Sequence, residues 1–292
     1  MKIGVFDSGY GGLTVFDGIH RLLSQYDYIY LGDNARTPYG SRSFRTILKF
    51  TAECVDYLFR HDCYLIIIAC NTASAKALRN IQQKYLPAFY PERRVLGVIR
   101  PSVEEMSRYT KTGTVAVWGT EGTVRSDSYR LELEKLAPNL NLVQQACPLL
   151  VPLVEAGELE GPAVEYFVDK YWSETARQAR RIDTLLLACT HYPLLAGVIR
   201  ARLPKTVRLL FQSEFVAPSL KDYLDRHPEH EARLSRGETC RFLTTDRSDA
   251  FDRLAAVFLG YEVASERIDL DDEGSKDTAR FLAADWSRLE LS

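Results

Sequence analysis

The chain has 292 residues, 46% apolar and 26% charged, the proportions of an ordinary globular protein long enough to bury a sizeable core. Its formal net charge of −2, with Lys and Arg scattered, excludes the basic footprint expected of a nucleic-acid or anionic-membrane binder. No apolar run approaches the roughly 20 residues of a membrane span.

The N-terminus, MKIGVFDSG, reads at once as a strand and turn, without the apolar stretch of a signal peptide. KIGVFDS (2–8) is the first buried strand, and Leu13, Phe16, Ile19 and Leu23 follow at helical spacing. YIYL (28–31) is a second strand, and the loop GDNARTPYGSRS leads into a long helix outlined by Phe44, Ile47, Leu48, Cys54, Leu58 and Phe59. YLIIIAC (64–70) is a third strand, TASAKALRNIQQKYL the helix after it, and RVLGVI (94–99) a fourth strand. The alternation continues through TVAVWGT (114–120), LVQQAC (142–147), TLLLACT (184–190), VRLLF (207–211) and CRFLTT (240–245), then a helix from Ala250 to Leu259. DDEGSKDT (271–278) reads as a polar linker and the last dozen residues as an appended amphipathic helix.

Runs apolar on both faces and separated by helices predict parallel sheets covered on both sides, an α/β fold. So many strands exceed one open sheet of this kind, which predicts two three-layer α/β domains. The boundaries fall at 1–97 plus 208–292 for the first and 98–207 for the second. A coarse echo, strand then A-C-N-T or A-C-T-H then helix, relates Cys70 to Cys189. Ligands of such sheets bind beyond the carboxyl ends of the strands, so two similar halves facing each other place both thiols at one cleft.

Four pieces stand at strand ends: Asp7-Ser8, Pro38-Tyr39-Gly40, Cys70-Asn71-Thr72 and Cys189-Thr190-His191. Singly each has a bland explanation. Cysteine is among the most buried residue types, and Asp-Ser after a strand is often a helix cap. Two matched thiols with an acid and an imidazole beside them argue for chemistry instead. Cys54, Cys63, Cys147 and Cys240 lack such neighbours and read as structural. Six cysteines at irregular spacings do not form a disulfide framework, which predicts reduced thiols and a cytoplasmic protein. The C-x-H spacing does not suit zinc, so no metal is expected. The glycines of DSGYGGLT match neither a dinucleotide nor a Walker loop.

FDSGYGGLTV, YLGDNARTPYG, ACNTASA, GTEGTVRSDSY, QACPLLVPLVEAG and CTHYPLL, in that order, resemble the signature set of the glutamate racemase family, over about residues 3 to 211. The resemblance implies two pseudo-symmetric α/β domains with the active site between them. It implies interconversion of L- and D-glutamate, a cell-wall precursor, without pyridoxal phosphate or another cofactor. Cys70 and Cys189 would be the acid–base pair, with Asp7 assisting Cys70 and His191 assisting Cys189. Helix N-termini after both cysteines would favour the thiolate. Ser8, Asn71, Thr72, Thr120 and Thr190 would bind substrate, with Pro38-Tyr39-Gly40 at its side-chain carboxylate.

The sequence departs from the family pattern at Ala188, where glycine usually precedes the second cysteine, and at Arg100, where many members are acidic. The segment from about 226 onward is longer than usual, and Glu155 matches a conspicuous family position without an assigned role. The partner expected is a small molecule, with no nucleic acid and no membrane, and a homodimer is left open. A racemase of another acidic amino acid such as aspartate, or a silent binding protein on the same fold, are the alternatives. The His after Cys-Thr favours glutamate.

Overall fold

The computed structural model describes residues 1–270 and 276–283. Each expected strand is present: β1 (Lys2–Asp7), β2 (Tyr28–Gly32), β3 (Cys63–Ile68), β4 (Arg94–Gly97), β5 (Thr114–Gly119), β6 (Asn141–Ala146), β7 (Thr184–Ala188), β8 (Arg208–Leu210) and β9 (Cys240–Thr244). A tenth, β10 (Ser265–Arg267), carries no apolar run, and only its pairing with β9 makes it a strand.

The strands form two parallel sheets, one ordered β10-β9-β2-β1-β3-β4 and one ordered β6-β5-β7-β8. Removing β9 and β10 leaves the same winding in both, so β1 and β3 in the first unit correspond to β5 and β7 in the second. The sequence echo is this correspondence: the strand preceding each cysteine lies beside the first strand of its unit, with Phe6 opposite Ile68 and Gly119 opposite Ala188. The chain leaves the second unit after β8. Arg208–Leu210, which the expected boundary assigned to the first unit, pairs with β7 in the second.

The strands are apolar on both faces because helices cover both. β3 is buried throughout. Phe16 of the helix Leu13–Leu22 packs edge-on against Tyr28, Tyr30 and Phe242, at centroid separations of 5.8, 5.9 and 5.3 Å. Each such pair adds about 0.5–1.5 kcal/mol beyond its buried area. The helix Phe44–Arg60 starts at Ser43, whose hydroxyl accepts from the Thr46 N–H at 3.1 Å.

The helix expected after Cys70 is not continuous. It runs Asn71–Lys76, breaks at Ala77, and continues as short α and π turns to Phe89. Of the expected polar linker, 271–275 lie outside the described residues, while Lys276–Leu282 is helical. The expected terminal helix lies outside the described residues beyond 283. Among the described residues no helix is long and apolar enough to cross a membrane.

Candidate active site

Four strand ends converge. β1 passes from Asp7 to Ser8, and β5 to Thr120, whose hydroxyl caps the helix Glu121–Arg125 by accepting from the Thr123 N–H at 3.2 Å. β3 leads through Ala69 to Cys70, the N-cap residue of Asn71–Lys76. β7 leads directly to Cys189. These ends, with the loop after β2, enclose a cavity of about 160 Å³. Ser8, Pro38, Tyr39, Gly40, Cys70, Asn71, Thr72, Thr120, Cys189, Thr190 and His191 all line it. Asp7 alone of the expected residues does not; it lies fully buried behind the cavity wall.

The cleft is held shut by short contacts between the units. The Gly122 N–H donates to the Gly40 carbonyl at 2.8 Å, and the Thr72 and Thr120 hydroxyls are 2.9 Å apart. Gly11 of the first unit presses on the second so closely that a Cβ there would stand 2.4 Å from Thr190 Oγ1.

The two thiols differ in surroundings. Cys70 donates to Ser8 Oγ at 3.4 Å. Burial, reinforced by the charge of Asp7, pushes its thiol up to about 12, against the Ser8 hydrogen bond and the Ala73 N–H. Cys189 Sγ lies 3.9 Å from His191 Nδ1. Burial pulls the His191 pKa down, but its interactions with Cys189 and Glu155 outweigh it and push it up to about 10. His191 Nε2 is 3.2 Å from Glu155 Oε1. That contact is an ion pair by distance rather than an aligned hydrogen bond, since neither atom has a hydrogen-bond partner. A helix begins directly at Cys70, whereas after Cys189 only a 3₁₀ turn, Tyr192–Leu195, follows His191.

Asp7 makes no hydrogen bond to Cys70. It accepts from the Gly9 N–H at 3.0 Å and from Thr190 Oγ1 at 3.4 Å, tying the first unit to the residue after the second cysteine. Burial raises its pKa, against the charge of His191 and the N–H groups of Gly9 and Gly12.

Tyr39 is buried, and its hydroxyl donates to Asp33, which also accepts from Arg36 and Thr245. It braces the loop of Pro38-Tyr39-Gly40, all three of which line the cavity. Asn71 lines the cavity but commits much of its amide inward, to Gln212 and Tyr129.

Sequence reasoning did not assign Glu155, Gln212, Tyr129 or the apolar wall of Pro148, Val151 and Pro152. QACPLLVPLVEAG contained Glu155 and the wall residues and GTEGTVRSDSY ended on Tyr129, but neither gave a contact, and Gln212 lay in no motif. Arg100 is 64% exposed and pairs with Glu104 and Glu132 on the surface.

A profile of the Asp/Glu/Hydantoin racemase family matches residues 3–210. Among curated proteins, the glutamate racemase of Persephonella marina is 39% identical over 272 residues, covering 92% of this chain and 98% of that protein. That of Aquifex aeolicus is 39% identical over 264 residues, covering 90% and 96%. Among solved structures, glutamate racemase isoform RacE1 from Bacillus anthracis superposes with a TM-score of 0.83 at 34% identity, covering 92% of this chain and 97% of that one. Glutamate racemase from Francisella tularensis, solved in complex with D-glutamate, gives 0.81 at 34% identity, covering 93% and 98%.

Proposed function

Since the chain belongs to the Asp/Glu/Hydantoin racemase family and is a racemase, we propose that its substrate is glutamate, with Cys70 and Cys189 exchanging the Cα proton. The observation that carries this reading is the placement of two cysteines, one from each unit, at matching strand ends on one cavity. Racemisation removes a proton from one face of Cα and returns one to the other. Two acid–base groups from two facing units do this without rotating the substrate. The names of the relatives and the acidic-substrate complex of a solved neighbour support glutamate.

In the L-to-D direction Cys189, as thiolate, takes the Cα proton, and Cys70, held as a thiol, delivers one from the other face. His191, protonated and 3.9 Å from the Cys189 sulfur, balances the charge on that side. The reverse reaction exchanges the roles. The intermediate carries negative charge on its α-carboxylate, so preorganised donors supply the stabilisation. The Ser8 hydroxyl, which accepts from Cys70, keeps its own proton for this, as does the Asn71 Nδ2–H not given to Gln212, whereas the Thr190 proton goes to Asp7 and the Thr72 hydroxyl is shared with Thr120. No pyridoxal phosphate or metal enters this scheme. We place the reaction in the cytoplasm, where the six free cysteines stay reduced, and read D-glutamate as a cell-wall precursor.

The test is the purified protein with L-glutamate in D₂O containing EDTA and no pyridoxal phosphate, following optical rotation and Cα deuterium together. Loss of rotation with deuterium entering Cα is the expected result. No change in either signal with glutamate, followed by turnover of aspartate, would overturn the substrate assignment. Silence on both would leave a binding protein.

A further inference from the structure

Behind the cavity, a chain of buried polar groups crosses between the units, and its polarity can be worked out from one fixed end. The Val98 carbonyl can only accept. Ser102 Oγ donates to it at 2.5 Å, which uses the single Ser102 proton. Ser102 Oγ is then an acceptor for Gln212 Nε2 at 2.8 Å. That fixes the other end of the Gln212 amide as oxygen, and Oε1 accepts from Asn71 Nδ2 at 2.6 Å. Asn71 Oδ1 in turn accepts from the Tyr129 hydroxyl at 2.7 Å and from Gln212 Nε2 at 3.2 Å. Gln212 is 3% exposed and is the first residue of the helix Gln212–Arg226, where the chain re-enters the first unit after β8.

We propose that Gln212 is a positioning residue: by engaging the Asn71 amide oxygen and one of its two Nδ2 hydrogens, it fixes which end of that amide is nitrogen, so that the second Nδ2–H beside Cys70 is kept for a substrate carboxylate. This rests on the glutamate and two-cysteine reading above. An amide is nearly symmetric in shape, so packing alone does not choose which end faces an anion. A flipped Asn71 would offer an oxygen to a carboxylate and repel it. The relay through Gln212 and Ser102 to a backbone carbonyl selects the attracting orientation. It also anchors the residue following Cys70 to both units, as the Thr190–Asp7 hydrogen bond does for the residue following Cys189.

Two variants of the whole protein test this. Gln212→Glu keeps the size but replaces the donor Nε2 by an oxygen facing Ser102 and Asn71, which reverses the relay. Gln212→Met keeps the length and removes polarity without reversing it. KM and kcat are measured in both directions, with substrates carrying hydrogen or deuterium at Cα, beside wild type and Cys70→Ser. The expected result is a KM rise of at least about tenfold in Gln212→Glu and a smaller one in Gln212→Met, both folded by thermal melting. In Gln212→Glu the Cα isotope effect should also grow from D-glutamate and shrink from L-glutamate, because the Cys70 step has become the slow one. Unchanged KM and evenly matched isotope effects in both variants would overturn the proposal and leave Gln212 as interface packing. Turnover surviving in Cys70→Ser, or a wild type silent on glutamate, would overturn the underlying reading instead, and this proposal with it.

Discussion

Glu155 Oε1 lies 3.2 Å from His191 Nε2, while the opposite ring nitrogen, Nδ1, lies 3.9 Å from Cys189 Sγ. The imidazole is thus held between a carboxylate and a thiol, and its raised pKa, about 10, keeps it protonated at neutral pH. A histidine whose folded pKa exceeds its unfolded value of roughly 6.5 contributes stability that is fully present below that value. The contribution fades as pH rises through the folded pKa. Glu155→Gln should therefore be less stable than wild type at neutral pH, with the two urea-unfolding curves converging above about pH 10. The same substitution should move the alkaline limb of kcat to lower pH. A difference in stability independent of pH would show that Glu155 acts by packing alone.

Replacing either Cys70 or Cys189 by serine should cut racemisation by at least about 10²-fold, the usual cost of losing an acid–base group. Both side chains are small and buried, 5% and 6% exposed, and serine differs little in size. Melting temperatures should stay within a few degrees of wild type. Initial rates by polarimetry, read with those melts, separate lost chemistry from lost fold.

Gly11 and Gly197 make a controlled pair. A Cβ at Gly11 would stand 2.4 Å from Thr190 Oγ1 and 2.7 Å from the Thr190 carbonyl carbon, where backbone cannot yield. Gly11→Ala should push the units apart, costing about 1–3 kcal/mol and raising KM. Nothing lies within 4 Å of a Cβ at Gly197, so Gly197→Ala, in the helix Ala196–Arg202, should be neutral or stabilising by up to about 1 kcal/mol. Denaturant melts and KM for the two variants check both signs.

The sheets were legible because parallel strands covered on both faces are written as continuous apolar runs, as LIII of β3 and LLLA of β7 show. β10 was not, because Ser265, Glu266 and Arg267 owe their strand to hydrogen bonds from β9 rather than to their own preference. At the site, Cys70 and Cys189 stood out by position at strand ends. Gln212 could not, since a lone glutamine before a helix has no distinctive pattern and its meaning comes from Ser102, Tyr129 and Asn71, all far away in sequence. Glu155 lay in a motif that carried the family resemblance, yet its contact to His191 depends on how β7 places the 3₁₀ turn behind Cys189. The role expected of Asp7 is the subtler case. Its place beside Cys70 in the fold was anticipated, but its hydrogen bonds run to Gly9 and Thr190, and its charge pushes the Cys70 pKa up rather than favouring the thiolate.

His191→Asn should mark the Cys189 half-reaction as the slow one. For a racemase at an equilibrium constant of one, kcat/KM must be equal in the two directions, so no variant can favour one direction by that ratio. Isotope effects are free of the constraint. When delivery or removal at Cys189 becomes slow, deuterium at Cα of L-glutamate is the atom that Cys189 removes, and its effect should rise. From D-glutamate the deuterium goes to Cys70 in a step that is no longer limiting, so its effect should fall toward one. This is the opposite sense to that expected for Gln212→Glu, which acts on the Cys70 side. The pair of variants, measured with the same deuterated substrates, therefore assigns each thiol to one face of the substrate. Equal isotope effects in His191→Asn would give the imidazole a role shared by both steps.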